Sequence, residues 1–299
     1  MSKPVVIIHH DCPDGYCGAI CMYKYLIGLE CVTDIELIPA QYGDAVPLNL
    51  NDKHVAIIDF SYPREMLLYL ADITESLVVL DHHKTAQADC EGLSFATFDM
   101  DRCGAQLAYD YIITLVKAVK IDEFFEFHKV LDELPRQHYP WLVEYVADRD
   151  LWKWEQPKSK ELNAYIASHP RTIAVWVGML EFFSARTNHE LYLVPQGEAI
   201  LRAQEQTVRR ASRHAVQTFL PKLDYSVLAV NSCVFQSEIA ENLKTQADII
   251  CVWFRNNDDK HVHSLRTGNP NIDVSAIAKS YGGGGHRAAA GFTLDQVIV

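Results

Sequence analysis

The sequence predicts an α/β protein with two α/β domains joined by a helix. Short apolar runs alternate with helical patterns along most of the chain, which is typical of parallel sheets built from βαβ units. The composition becomes richer in strand-forming residues after Pro221. We therefore expect an N-terminal parallel-sheet domain over residues 1–190, a connecting helix over 191–219 and a smaller C-terminal α/β domain over 220–299.

The composition is that of an ordinary globular protein with an acidic surface. The chain has 299 residues, of which 49% are hydrophobic and 22% charged, and its net charge is −12. This length is enough for two domains, each with its own core. Because a strongly acidic protein repels long polyanions, we expect small anionic ligands rather than duplex DNA.

The cysteines and the apolar runs indicate the cellular compartment of the protein. The chain has 8 cysteines, and none of them forms a Cys-x-x-Cys pair, so we interpret them as reduced thiols of a cytoplasmic protein. No apolar stretch reaches the roughly 18–20 residues of a membrane span. The first residues resemble the start of a strand rather than a signal peptide.

The first predicted strand covers residues 4–8 and ends in two histidines, His9 and His10. A helix of small and apolar residues follows from Gly15 to about residue 29. Asp14 lies at the N-terminus of this helix, where the positive end of the helix dipole favours an anion. The alternative is that Asp14 is a plain helix cap and that the histidines are incidental.

Two further buried strands end in acidic residues. The apolar run 55–58 is followed by Asp59, and the run 77–80 is followed by Asp81-His82-His83. Helical segments between the strands imply right-handed crossovers, so the strands are parallel and their carboxyl ends share one edge of the sheet. Carboxylates gathered there repel one another unless protons or cations neutralise them. The pattern therefore predicts a metal site at this edge.

Two later segments of the first domain can contribute to the same edge. A helix begins at Cys103-Gly104-Ala105, and its free N–H groups can accept a phosphate. The helix that begins near Pro140 ends with Asp148 and Asp150, either of which can supply a further metal ligand. The pattern alone does not choose between these two acids. A helix is also expected over residues 121–134.

The C-terminal part ends in a run of four glycines. Strands are expected over residues 225–230, 248–254 and 261–265, the last two as a hairpin that leads to Arg266, and a helix over 272–281. The glycines at 282–285 lose much conformational entropy on folding, so we expect a reason for them. Their backbone can approach an anion closely and present N–H groups to it. His286 follows directly and adds a donor suited to phosphate.

Taken together, these motifs resemble the DHH phosphoesterase superfamily over nearly the whole chain. The resemblance rests on Asp81-His82-His83, on Asp59, and on the loop from His9 to Asp14. It extends to the C-terminal domain associated with this superfamily through the glycine run and His286. It implies a metal-dependent phosphoesterase with its active site in the cleft between the domains, similar to nanoRNases and to RecJ-type exonucleases, and with two Mn²⁺ or Mg²⁺ ions.

The resemblance also implies a role for each motif residue. Asp59 or Asp81 bridges the two ions, while the other metal ligands are His82, Asp14 and Asp148 for one ion and His9 for the other. His83 contacts the reacting phosphate. The distal phosphate is bound by a set of C-terminal residues, namely Arg266, Gly283, Gly284, Gly285 and His286. The catalytic set is therefore Asp81, His83, Arg266 and His286.

One departure from the family pattern affects the metal site. Relatives carry two acids one residue apart in the first loop, whereas this chain has Cys12 and Asp14 at that spacing, with Asp11 displaced. One ion is then bound weakly, or by Cys12 or Asp11 instead.

The expected activity is a phosphodiesterase that releases 5′-mononucleotides from short oligonucleotides or related small nucleotides. The partner is a small nucleotide or a short single-stranded nucleic acid, no membrane is involved, and a homodimer is left open. Two alternatives remain: a phosphomonoesterase or polyphosphate-type hydrolase, and a nucleotide-binding protein whose metal site has degenerated.

Overall fold

The computed structural model describes residues 4–28, 32, 34–118, 138–182, 192–221 and 224–299. It divides into two compact units. The first contains residues 1–82 and 86–198, and the second contains residues 83–85 and 199–299. The helix predicted over residues 121–134 lies outside the described residues.

The first unit is built on a parallel five-stranded sheet, as predicted. Its strand order is β2-β1-β3-β4-β5, and every neighbouring pair is parallel. The strands are β1 (Val5–His10), β2 (Ile35–Ala40), β3 (His54–Ile58), β4 (Ser76–Asp81) and β5 (Ala96–Phe98). All five carboxyl ends therefore lie at one edge of the sheet.

Helices cover both faces of this sheet. Successive residues of β1, β3 and β4 alternate between two apolar clusters, because neighbouring side chains of a strand point to opposite faces. One cluster includes residues of the helices α1, α4, α5, α6 and α7, and the other includes residues of α2. The helices are α1 (Pro13–Leu26), α2 (Arg64–Ile73), α3 (Gln87–Cys90), α4 (Gly104–Ala118), α5 (Trp141–Asp150), α6 (Ser159–Ala167) and α7 (Ile173–Phe182).

The connecting helix is shorter than predicted. The helix α8 (Val194–Ser212) contains the boundary between the units, and the predicted helical stretch to residue 219 is wrong at its C-terminal end. Residues Val216–Thr218 form a strand, β6, which pairs with β7 (Val227–Asn231). Val216 and Thr218 are β-branched, which favours the strand that follows the helix.

The second unit contains a mixed six-stranded sheet with the order β10-β11-β9-β8-β7-β6. Only β7 and β8 are parallel, and the helix α9 between them makes the crossover. The predicted hairpin is confirmed as β8 paired with β9. The elements are α9 (Gln236–Leu243), β8 (Ile249–Arg255), β9 (His261–Arg266), α10 (Val274–Ser280), β10 (Gly284–His286) and β11 (Ala289–Leu294).

The glycine run is strand and turn rather than an open anion-binding loop. Gly284–His286 pairs with β11, and the N–H of Gly283 donates to the carbonyl of Ala278 (2.9 Å). Gly285 has φ +136, and a Cβ on it would lie 2.7 Å from the carbonyl oxygen of Ala289. The glycines therefore allow close approach of the chain to itself, and their predicted contact with a phosphate stays a prediction.

Candidate metal centre

The carboxyl edge of the first sheet gathers acids and imidazoles around Asp59. Asp59 follows β3 directly and has φ +67, a left-handed backbone conformation that is uncommon for a residue other than glycine. Such strained residues cluster at functional sites. Its carboxylate is buried and lies among ligand-type side chains from three other segments of the chain.

Two groups of candidate ligand atoms share Asp59. Within each group the ligand atoms lie within 4.8 Å of one another. The first group is Asp14, Asp59 and His82, and the second is His10, Cys12 and Asp59. A carboxylate shared by two such groups suits a pair of neighbouring divalent ions.

The first group surrounds one imidazole with carboxylates. Nε2 of His82 lies 3.0 Å from Asp59, 3.6 Å from Asp150 and 3.7 Å from Asp14. Burial lowers the pKa of His82, but the hydrogen bond to Asp59 and the charges of Asp150 and Asp14 outweigh it and raise the pKa to about 10. In the absence of a metal ion, a protonated imidazole therefore balances part of the negative charge.

Asp14 is held by the N-terminus of α4. Its two carboxylate oxygens accept the backbone N–H groups of Gly104 (2.6 Å) and Ala105 (2.9 Å). Burial, and then the charges of Asp59 and Asp150, raise its pKa well above the usual range. We expected these N–H groups to accept a phosphate, but the structure assigns them to Asp14 instead.

Gly104 is needed for this approach of α4. A Cβ on Gly104 would lie 2.5 Å from the Cβ of Asp59. A larger residue would push the helix N-terminus away from both Asp14 and Asp59.

The second group is held by the loop between β1 and α1. Cys12 caps α1, and its sulfur accepts the N–H of Gly15 (3.3 Å). The thiol donates to Oδ2 of Asp59 (2.9 Å), and Nδ1 of His10 lies 3.4 Å from the same oxygen. Burial, and then the charges of Asp59 and Asp14, raise the pKa of the Cys12 thiol well above its usual range.

The structure places His10, rather than the predicted His9, beside Asp59. Nδ1 of His9 contacts the backbone carbonyl of His10 (2.9 Å), and its ring lies edge-on to Tyr16. The two side chains differ because successive residues of a strand point to opposite faces.

The same distinction applies to the acids at the end of α5. Asp148 accepts the backbone N–H groups of Glu155 (2.8 Å) and Gln156 (3.3 Å), so it braces the following loop. Asp150 is the acid that approaches His82. The family resemblance pointed to Asp148, and the structure brings Asp150 to the cluster instead.

Asp81 and Asp11 have other partners. The buried carboxylate of Asp81 accepts hydrogen bonds from Ser61 (2.6 Å), Tyr42 (3.4 Å) and the N–H of His82 (2.7 Å). Among the described residues, it belongs to neither ligand group that contains Asp59. Asp11 forms an ion pair with Arg171 at the surface (2.6 Å). The structure thus brings Cys12, and not Asp11, to the position where an acid was expected.

The predicted phosphate-binding residues lie in the second unit. The rings of His83 and His286 are stacked, with centroids 4.6 Å apart. Arg266 donates to Ser237 from Nε (3.3 Å) and Nη2 (3.1 Å), and burial lowers its pKa to about 10. The N–H of Gly285 donates to Thr85 (3.0 Å), which belongs to the same unit. Sequence reasoning missed Ser237, for which no motif gave a signal.

The donor set fits divalent cations. Carboxylates and imidazoles are ligands of Mn²⁺, Mg²⁺ and Zn²⁺, and the buried acids around Asp59 need cationic neutralisation. Asp14, Asp59, His82 and Asp150 are the residues that would hold one ion, and His10, Cys12 and Asp59 those that would hold another.

Comparison with known proteins finds one matching family model and two similar curated proteins. Residues 236–298 match the DHHA1 domain. The chain is 27% identical to uncharacterized protein R106 of Acanthamoeba polyphaga mimivirus, over 98% of the chain and 68% of that protein. It is 29% identical to oligoribonuclease NrnB of Bacillus subtilis, over 74% of the chain and 53% of that protein.

Solved structures show the same fold. A DHH domain from a member of a family of ribosomal proteins matches with a TM-score of 0.51 and 14% identity, over 98% of this chain and 83% of that one. RecJ of Thermus thermophilus in complex with Mn²⁺ matches with a TM-score of 0.51 and 14% identity, over 98% and 50%. The predicted resemblance to the DHH superfamily is confirmed: residues 236–298 match the DHHA1 domain, an oligoribonuclease is a similar protein, and the fold is shared with a DHH domain and with RecJ.

In the part of the chain that the structure describes, no helix combines the length and the apolar character that a membrane crossing requires.

Proposed function

We propose that the protein is a divalent-metal-dependent phosphodiesterase that hydrolyses short oligonucleotides or related small nucleotides to 5′-mononucleotides. The observation that carries the proposal is Asp59, whose backbone is left-handed and whose buried carboxylate is shared by two groups of ligand atoms. The relative named oligoribonuclease supports the choice of substrate. The seven described cysteines are free thiols, which supports a reducing, cytoplasmic location.

The cofactor we propose is a pair of Mn²⁺ or Mg²⁺ ions. When bound, such ions activate water for attack on phosphorus and neutralise the charge that develops on the phosphoryl oxygens. The protein supplies the buried carboxylates and fixes their positions. Asp14 is fixed by the N-terminus of α4, and the loop of Asp81 and His82 is fixed by Ser61 and Tyr42.

The phosphate contacts we propose come from the second unit. Arg266, His83 and His286 offer cationic or N–H donors that suit phosphate oxygens. The guanidinium of Arg266 is already oriented by Ser237, so its donors are held in place before a nucleotide binds. These residues are proposed to hold the nucleotide, while the ligand groups around Asp59 carry the hydrolysis.

The acidic net charge favours short substrates. A net charge of −12 repels a long polyanion, whereas a substrate of a few nucleotides carries few phosphates. We therefore expect activity to fall as the oligonucleotide becomes longer.

The test is a substrate panel with protein that has been stripped of metal and reloaded with Mn²⁺ or Mg²⁺. The panel contains RNAs and single-stranded DNAs of graded length, cyclic dinucleotides, phosphoadenosine phosphate and polyphosphate, and products are separated by chromatography. We expect 5′-mononucleotides from the shortest linear oligonucleotides only in the presence of metal. Turnover of polyphosphate or a phosphomonoester alone would replace the proposed substrate, and binding of nucleotides without any hydrolysis would make the chain a binding protein.

The test variant and its control each change an acid to the corresponding amide. Asp59→Asn removes the shared ligand and should abolish the metal-dependent activity. Asp101→Asn changes an exposed acid outside both ligand groups and should leave the activity unchanged. An equal loss in both variants would mean that net charge, and not the ligand group, is responsible.

A further inference from the structure

The group formed by His10, Cys12 and Asp59 differs in chemistry from the group formed by Asp14, Asp59 and His82. It contains a thiol where the other group has a second carboxylate. Thiolates favour thiophilic ions such as Zn²⁺, whereas carboxylates suit Mg²⁺ and Mn²⁺. We therefore expect the sulfur donor to determine which ions this group selects.

The sulfur of Cys12 is fixed in place by the backbone. The N–H of Gly15 donates to it at the start of α1, and its own hydrogen is directed at Asp59 (2.9 Å). Of the described cysteines, Cys12 is the one that belongs to a group of potential metal ligands.

We propose that His10, Cys12 and Asp59 form a thiolate-containing metal position that selects Zn²⁺ or Co²⁺ over Mn²⁺ and Mg²⁺. On binding, the S–H bond of Cys12 breaks heterolytically, a sulfur–metal bond forms and the proton leaves to water, without any change of oxidation state. The group of Asp14, Asp59 and His82 retains the preference of an oxygen- and nitrogen-donor site. The proposal rests on the proposed function in placing divalent ions at Asp59, but sulfur ligation does not depend on turnover.

The experiment is a Co²⁺ titration of the metal-stripped full-length protein, followed by absorption spectroscopy. Sulfur ligation produces a thiolate-to-Co²⁺ charge-transfer band in the near ultraviolet. We expect this band in the natural protein and its loss in Cys12→Ser and Cys12→Asp. Cys12→Asp should also weaken the preference, so that Mn²⁺ competes with Zn²⁺ more effectively than in the natural protein.

Two other cysteines provide matched controls. Cys103 is a buried thiol that hydrogen bonds to Asp14, and Cys233 is exposed. Cys103→Ala and Cys233→Ser should retain the band. A natural protein without the band, or a band that survives Cys12→Ser, would overturn the proposal.

A second measurement uses the natural chain and does not depend on a variant that folds. The protein is alkylated with iodoacetamide in the presence of Zn²⁺ or of Mn²⁺, and the modified cysteines are mapped by mass spectrometry. Zn²⁺ should protect Cys12 at concentrations at which Mn²⁺ does not, while Cys233 should react equally in both. Equal alkylation of Cys12 with either ion, in protein whose Cys12 reacts in the absence of metal, would contradict the proposal.

The outcomes separate this inference from the proposed function. A Cys12-dependent band without hydrolysis of any nucleotide would support the metal position and overturn the phosphodiesterase. Metal-dependent hydrolysis without such a band would support the phosphodiesterase and overturn the thiolate ligand.

Discussion

The two ligand groups around Asp59 differ in burial as well as in donor chemistry. Asp14 and His82 are each 1% exposed, whereas the side chain of His10 is 27% exposed. A buried group of acids needs protons or cations to neutralise it, and in the absence of metal the protonated His82 balances part of the charge. The more open group of His10 and Cys12 has only one acid to balance. The buried group of Asp14, Asp59 and His82 therefore needs positive charge to offset its acids, whereas the group of His10, Cys12 and Asp59 is proposed to discriminate between metal ions through its thiol.

The largest expected effect is the loss of both ions in Asp59→Asn. Asp59 is the one ligand that the two groups share, so its removal affects both positions. We expect two ions per natural chain by calorimetry and metal analysis, and essentially none retained by Asp59→Asn. Asp14→Asn should keep the ion at His10 and Cys12. Retention of both ions by Asp59→Asn would contradict this expectation, because neither metal position would then depend on Asp59.

The acids at the end of α5 provide the next test. Asp150→Asn should weaken the ion held with Asp14 and His82, because Asp150 adds negative charge 3.6 Å from Nε2 of His82. We expect a loss of affinity of about 10–100-fold, the range typical for groups that support a metal site. Titration with Mn²⁺ measures it.

Asp148→Asn is the matched comparison for that variant. It removes a charge two residues away, where the carboxylate braces the loop through Glu155 and Gln156. We expect a loss of stability of about 1–3 kcal/mol and nearly natural metal affinity. If Asp148→Asn loses the metal and Asp150→Asn does not, the structural assignment is wrong.

The histidines at the end of β1 test the more open group. His10→Asn should weaken the ion at Cys12 while leaving the ion at Asp14 and His82 in place. His9→Asn removes a ring that packs on Tyr16, so it should lower thermal stability more than it lowers metal affinity. The Co²⁺ spectrum and thermal unfolding distinguish the two variants. A spectrum that changes in His9→Asn alone would restore His9 as the ligand.

The pairs His9/His10 and Asp148/Asp150 show which features of such a site can be predicted from the sequence. The parallel strands and the gathering of Asp14, Asp59 and His82 at one edge were predictable, because crossover connections send all carboxyl ends the same way. The choice between His9 and His10 was not, since it depends on which face the last strand residue takes. The choice between Asp148 and Asp150 likewise depends on the direction that each side chain takes at the end of α5.

The second unit was harder to predict for a related reason. Its sheet is mostly antiparallel, so its pairing depends on contacts between distant segments rather than on a repeated βαβ rule. The glycine run illustrates this point, because its reason is the approach of β10 to β11 and of Gly283 to Ala278. The local sequence shows that four glycines stand in a row, but it does not show which residues they approach.

The smallest expected effect is a pH dependence of the stability of the metal-free protein. The pKa of His82 is raised to about 10 in the folded chain, against about 6.5 in an unfolded one. Its stabilising contribution is therefore complete below pH 6.5 and is lost as the pH rises through 10. The raised pKa of Asp14 acts in the same direction, because its ionisation costs stability in the folded state as the pH rises.

We expect the metal-free protein to melt a few degrees lower at pH 9 than at pH 6, since about 1 kcal/mol shifts Tm by roughly 2–4 °C at this size. His82→Asn should flatten this dependence, whereas His214→Asn, a change at an exposed histidine, should not. Added Mn²⁺ should restore much of the stability at pH 9, because a cation then replaces the lost proton among Asp14, Asp59 and Asp150. A melting temperature that is equal at both pH values, or higher at pH 9, would mean that His82 does not balance the acids, and the contrast between the two ligand groups would then rest on the thiol alone.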